Sequence, residues 1–187
     1  FVINQPPGEQ DKSHRLRASL SVPNPTQHEA VFRERFGLRD VVSGFGMTEV
    51  GMPIWGRIGH SAPNAAGWVH EDHFEVCIAD PETDVSVPAG QTGEILIRPK
   101  VPFGFMAGYL NVPEKTVEAW RNLWFHTGDI GMRDSDGLVT FVDRIKDCIR
   151  RRGENLSATE IEAVVGQLPG IHEVAAYAVP ADGPGEE

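Results

Sequence analysis

Leu16-Arg17-Ala18-Ser19-Leu20-Ser21-Val22 alternates apolar residues with Arg17, Ser19 and Ser21, the period-two pattern of a strand with one face toward a core. Pro23-Asn24-Pro25 closes it. Thr26 and Glu29 then stand at capping-box spacing, which predicts a helix reaching Phe36 and stopping at Gly37. Arg39 to Ser43 is a second short strand that delivers the chain to a Gly44-Phe45-Gly46 loop. Strand, helix and strand in this order form a unit of an α/β sheet.

Beyond residue 54 the texture changes. Phe74, Val76 and Ile78 alternate, Asp80-Pro81 and Pro88-Ala89-Gly90 turn, and Glu94 to Arg98 reads as a strand, a rhythm that predicts a small β-barrel or sandwich. Pro113 opens a helix with Val117 and Trp120 on one face. Trp124 to Met132 and Leu138 to Val142 are strands joined by the turn Asp134-Ser135-Asp136-Gly137. Ser157-Ala158-Thr159-Glu160 is a second capping box, opening a helix with Ile161, Val164, Val165 and Leu168 inward; Val174 to Val179 is a strand. The expected class is mixed α/β (α+β) in three parts: the end of an α/β subdomain over 1–53, a β-barrel-like subdomain over 54–143, and a hinge with an incomplete C-terminal α+β domain over 144–187. Phe1 at the start and the Gly/Pro-rich run after Ala181 suggest a piece of a longer protein.

Composition narrows the function classes. A formal charge of −10 over 187 residues argues against nucleic acid as a partner. The local exception is 144–152, with five basic residues and one acidic one, Asp147. Cys77 and Cys148 are too few and too far apart for a disulfide framework, which favours a reduced, cytoplasmic setting. His70 and His73, three apart on an expected strand, face opposite sides and do not suggest a metal site. His126 is expected to be a packed core histidine. No apolar run reaches transmembrane length.

Phe45-Gly46-Met47-Thr48-Glu49 carries the first candidate chemistry. Gly44 and Gly46 let backbone approach a ligand, Phe45 offers a face for stacking, Thr48 a hydroxyl for phosphate, and Glu49 a hard oxygen for Mg²⁺. A glycine turn with solvated Thr48 and Glu49 is the plainer reading. Asp129, after Thr127-Gly128, has the chemistry to accept both hydroxyls of a ribose, or is a turn aspartate. Arg144, fifteen residues on, has donors for the same ribose or a phosphate, or is a surface charge.

Taken in order, Phe45–Glu49, Thr127-Gly128-Asp129, Asp143-Arg144-Ile145-Lys146-Asp147 and Gly153-Glu154-Asn155 resemble the AMP-forming acyl-CoA synthetases of the adenylate-forming superfamily. Residues 116–129 and 141–162 look most like the crotonobetaine/carnitine-CoA ligase branch. The resemblance implies an enzyme that adenylates a carboxylic acid with ATP and Mg²⁺ and passes the acyl group to coenzyme A. It implies Phe45 against adenine, with Gly44 and Gly46 beside it, and Thr48 at the AMP phosphate. It further implies Glu49 as the magnesium ligand, Asp129 and Arg144 at the ribose, and Phe141 near the adenine. Lys146 falls at the hinge about which the C-terminal domain swings, and Gly153 in the pantetheine tunnel. Arg151-Arg152 departs from the small residue common in relatives there. The family's Ser/Thr/Gly-rich phosphate loop and its C-terminal lysine do not occur in this sequence, so little ligase activity is expected of these residues alone. The competing readings are an inactive nucleotide-binding or structural module and an adenylating enzyme that loads a carrier protein.

Overall fold

The alternation at 16–22 yields a shorter strand, β1 (Ala18–Leu20), which feeds helix α1 (Thr26–Glu34) and returns to β2 (Asp40–Val42). Its apolar face is not turned to a core: Leu16, Leu20 and Val22 are exposed and Ser19 is half-buried, because among the described residues β1 pairs with β2 alone and no apolar layer lies over that face. β1 and β2 pair in parallel, with Ala18 opposite Asp40, as a strand–helix–strand crossover requires. This is a computed structural model, and it describes residues 2–22, 24–151 and 154–179. α1 begins differently from the expectation: its N-cap is Pro25, which makes no side-chain hydrogen bond, and Asn64 Oδ1 accepts the Thr26 N–H at 3.3 Å instead. Glu29 does not turn back to the helix start, because three other donors claim its carboxylate. Asn24 Nδ2 (2.8 Å), Arg33 Nε (2.9 Å) and Ser61 Oγ all donate to it in a buried setting. Phe36, Leu38 and Val41 form a small core beneath the helix with Val31 and Phe32.

The Gly44-Phe45-Gly46 loop expected from the sequence is a strand, β3 (Gly44–Met47), paired antiparallel with β4 (Gly51–Trp55). Its glycine at 46 serves close backbone packing: a Cβ there would lie 2.3 Å from the Gly51 carbonyl oxygen and 2.6 Å from Met52 Sδ. The remaining strands are β5 (Gly67–Val69), β6 (Phe74–Ala79), β7 (Thr92–Pro99), β8 (Phe125–Arg133) and β9 (Leu138–Arg144). With β3 and β4 they form one antiparallel seven-stranded sheet in the order β3-β4-β5-β9-β8-β7-β6. The sheet is open. β3 and β6 are its edges, so among the described residues the expected barrel does not close.

Ile54, Ile95, Ile97, Phe125 and Val139 are at most 1% exposed and make the centre of the core. Over its edge Phe105, Trp120 and Phe125 form a cluster with centroids 5.3–6.0 Å apart in tilted and edge-on geometry. Helix α2 (Pro113–Ala119) has Pro at its first turn and is followed by Trp120 in that cluster. Val117 does not share this face; it is exposed. His70 and His73 sit beside and within a turn with their rings stacked at 4.5 Å, not on opposite faces of a strand.

After β9 a single 3-10 turn, Ile145–Asp147, leads to the short antiparallel pair β10 (Ile149–Arg151) and β11 (Glu154–Leu156). Helix α3 (Ala158–Val165) follows, and here the capping box forms as expected in its Ser157 half: Ser157 Oγ accepts the Glu160 N–H at 3.2 Å. The inward face does not. Ile161, Val164 and Leu168 are exposed, because no opposing apolar layer lies over them among the described residues. The strand expected at Val174 to Val179 is absent; those residues have no regular structure.

Candidate nucleotide site

Three irregularities of the sheet converge on one open cleft of about 980 Å³. Gly46, Met47, Thr48 and Glu49 reach it from the end of β3 and its connection to β4, where the register shifts between Phe45 and Met47. Thr127, Gly128 and Asp129 reach it from β8, and Arg144, Ile145 and Lys146 from the end of β9 and the turn that follows. Asp129 and Arg144 are directly opposed in the β8–β9 ladder, with Arg144 Nε 3.5 Å from Asp129 Oδ1. The arginine is mostly exposed and the aspartate buried, so the fork of donors has room for a second acceptor beside the carboxylate.

Burial pushes the Asp129 carboxyl above the usual range. Arg144 and Lys146 pull it back, while Glu94 and Asp147 add to the rise. Glu49 accepts the Tyr109 hydroxyl at 3.1 Å. Burial and that carboxylate hold the Tyr109 phenol above its ordinary value, so the hydroxyl is a standing donor. Tyr109 is itself fixed by its N–H to Thr116 Oγ1 of α2 (2.9 Å). The walls carry Lys115, Arg121, Arg144 and Lys146 against Glu49, Glu94, Glu118 and Asp129, so neither charge sign dominates.

Six of the residues singled out from the sequence therefore share the cleft: Gly46, Thr48, Glu49, Asp129, Arg144 and Lys146. Gly44, Phe45 and Phe141 are not among its lining. Phe45 is in the core at 9% exposure, and its ring stacks on Phe141 with centroids 6.3 Å apart. Gly153 lies outside the described residues. Sequence reasoning missed Tyr109, Glu94 and the site proximity of His126. Glu94 left a readable signal: a carboxylate inside the apolar run Gly93-Glu94-Ile95-Leu96-Ile97 demands a buried partner. It has one, for His126 Nδ1 lies 3.0 Å from Glu94 Oε2. His126 is buried, as expected, and its Nε2 has no hydrogen-bond partner among the described residues.

A family model for AMP-binding enzymes matches residues 2–110. The chain belongs to the AMP-binding enzyme family. Among curated relatives it is 31% identical to a sulfoacetate–CoA ligase of Cupriavidus necator, over 100% of this chain and 36% of that protein. It is 35% identical to a crotonobetaine/carnitine–CoA ligase of Proteus mirabilis, over 97% of this chain and 35% of the relative. Among solved structures, ATP-bound MatB from Rhodopseudomonas palustris superposes with a TM-score of 0.81 at 29% identity, covering 97% of this chain and 36% of that one. The chain thus spans about a third of the length of these relatives. Both curated relatives are named CoA ligases. No helix among the described residues is long and apolar enough to cross a membrane.

Proposed function

We propose that this chain supplies the adenosine half-site and hinge of an ATP-dependent, AMP-forming acid–thiol ligase. One observation carries the reading: Thr48 and Glu49, Asp129, and Arg144, distant in sequence, line the same cleft. Asp129, buried and acceptor-only when ionised, suits a vicinal diol, and Arg144 beside it suits the ribose or α-phosphate. Thr48 has the hydroxyl for that phosphate. Phe45 and Phe141 stack on each other behind this wall, and adenine would lie against the more exposed ring, Phe141.

Magnesium fits the donor set in one way. No group of three or more His, Cys, Asp or Glu that could hold a metal occurs among the described residues. A single carboxylate, Glu49, is what Mg²⁺ takes when substrate phosphates and water fill its other positions. Bound there, the ion would neutralise phosphate charge; the chain's own part is to hold and orient the nucleotide.

The division into 1–53, 54–143 and 144–187, with Lys146 at the hinge, belongs to this proposal, as do coenzyme A as acceptor, Gly153 in its tunnel, and a cytoplasmic setting. The turn at Ile145–Asp147, between the seven-stranded sheet and the β10–β11 pair, supports the hinge. The acid is proposed to be a small carboxylate of the kind handled by the carnitine and sulfoacetate ligases it resembles.

Calorimetry of AMP against the 187-residue protein and Asp129→Asn tests the site. Binding that weakens by at least about ten-fold in the variant is expected, since a charged acceptor to two hydroxyls is lost. Equal binding by both proteins would overturn the assignment of Asp129 to the ribose.

A further inference from the structure

Between Glu94 and Leu96 the β7–β8 ladder breaks. Glu94 pairs with Ile130 and Leu96 with His126, so three residues, Thr127, Gly128 and Asp129, stand opposite the single Ile95. Such bulges re-aim side chains and leave ladder groups to find other partners. Here side chains supply them. Thr127 Oγ1 donates to the Ile95 carbonyl at 2.7 Å and accepts the Asp129 N–H at 3.1 Å. The Gly128 N–H, in a left-handed residue with φ of 71°, donates to Glu94 Oε1 at 2.9 Å. The other carboxylate oxygen of Glu94 faces His126 Nδ1 at 3.0 Å and an Arg121 guanidinium nitrogen at 3.6 Å.

We propose that Glu94 is a positioning residue: through its buried brace to Gly128 and His126 it holds the bulge that presents Asp129 to the cleft. Glu94 is 2% exposed in the middle of an apolar strand, a position that core packing alone would fill with an aliphatic residue. Removing it leaves the Gly128 donor without an acceptor at the turn of the bulge. It also removes one of the two acidic groups that press on Asp129, the other being Asp147; Arg144 and Lys146 are the opposing charges. The brace itself rests on geometry; only its effect on ligand affinity rests on the nucleotide reading.

The test uses the 187-residue protein, Glu94→Ala and Glu94→Gln, with three readouts: amide exchange and amide-proton shift at Gly128, carboxyl-carbon NMR titration of Asp129, and AMP affinity against pH. In Glu94→Ala, Gly128 should lose protection and AMP binding should weaken about ten-fold. In Glu94→Gln an acceptor oxygen remains and the charge is gone. Gly128 should then stay protected, the Asp129 midpoint should fall, and AMP binding should persist to lower pH than in the parent. A Gly128 amide-proton shift unchanged in Glu94→Gln, where a charged acceptor has become a neutral one, overturns the proposal, and that variant decides alone if Glu94→Ala does not fold. Unchanged Gly128 exchange in a folded Glu94→Ala overturns it as well. Failure of AMP to bind the parent protein would instead sink the nucleotide reading, and the Gly128 readouts would still judge the brace.

Discussion

Asp143→Ala should release α3 from the sheet while leaving the sheet intact. Asp143 is 3% exposed near the end of β9, and its carboxylate accepts four hydrogen bonds. One is local, from the Arg144 N–H at 2.8 Å. The other three come from the start of α3: Ser157 Oγ at 2.6 Å, Thr159 N at 3.3 Å and Thr159 Oγ1 at 3.4 Å. The short Ser157 contact has the geometry of a charge-assisted bond, worth roughly 1.5–3 kcal/mol, and the two longer ones add little. A loss of about 2–3 kcal/mol raises the population of detached α3 roughly 30- to 150-fold. Hydrogen exchange resolved by peptide is the assay: residues 157–165 should speed up by that factor and β8 and β9 should not. Burial alone would raise the Asp143 carboxyl, but hydrogen bonds from Ser157, Arg144 and Thr159 outweigh it and hold it below the usual range. A depressed carboxyl stabilises above its unfolded value, near 3.9, and the contribution is lost as pH falls through the folded one. Acid should therefore loosen α3 in the parent protein and do nothing further in the variant. If α3 exchanges at the parent rate in Asp143→Ala, the carboxylate is not the tether and the reasoning fails.

Two further perturbations test the packing that carries the site. Glu29→Ala removes the acceptor shared by Asn24, Arg33 and Ser61 and should cost about 2–3 kcal/mol in urea unfolding. Burial raises this carboxyl and the hydrogen bonds of Ser61, Asn24 and Arg33 lower it further, so its contribution is present above about pH 4.3 and fades in acid. A flat difference between the two proteins from neutral pH to pH 3 would contradict that linkage. Phe125→Ala empties a side chain 1% exposed between Trp120 and Phe105 and should cost about 3–5 kcal/mol, read by Trp fluorescence as a fall in the urea midpoint. A loss below about 1 kcal/mol would mean that the aromatic cluster is not the core's keystone.

Periodic features of the fold were legible because burial writes them into the sequence. The strand within Leu16 to Val22, the return at Arg39 to Ser43 and the strand pair about Asp134–Gly137 all form, fixed by pairing or by a turn, although Leu16, Leu20 and Val22 are exposed where the alternation put them inward. The misreadings share a cause. Thr26 and Glu29 have the spacing of a cap, but spacing does not reveal that Asn24 and Ser61 would compete for Glu29. Gly44-Phe45-Gly46 has loop composition, yet its glycines serve strand-to-strand contact with Met52 and Gly51, a demand set by tertiary structure. Ile161, Val164 and Leu168 have an amphipathic period, but a period states which residues share a face and not whether anything covers it.

The candidate site was legible residue by residue and not as geometry, for a reason internal to β-structure. A regular ladder turns successive side chains to opposite faces, so a cleft at its edge receives alternate residues and no more. Converging Thr48 and Glu49, then Thr127 to Asp129, then Arg144 to Lys146 requires that the ladder fail at each place. It does: the register shifts between Phe45 and Met47, between Glu94 and Leu96, and between Ile130 and Gly131, and β9 ends at Arg144. Bulges have no period, so no pattern search on one sequence finds them. What they do leave is a debt of unpaired backbone groups, and the side chains that settle it are out of place by composition: a glutamate in an apolar strand, a threonine before a glycine. Glu94 and Thr127 are those residues here. A polar residue buried where an aliphatic one belongs is thus the sequence mark of a broken ladder, and through it of the cleft.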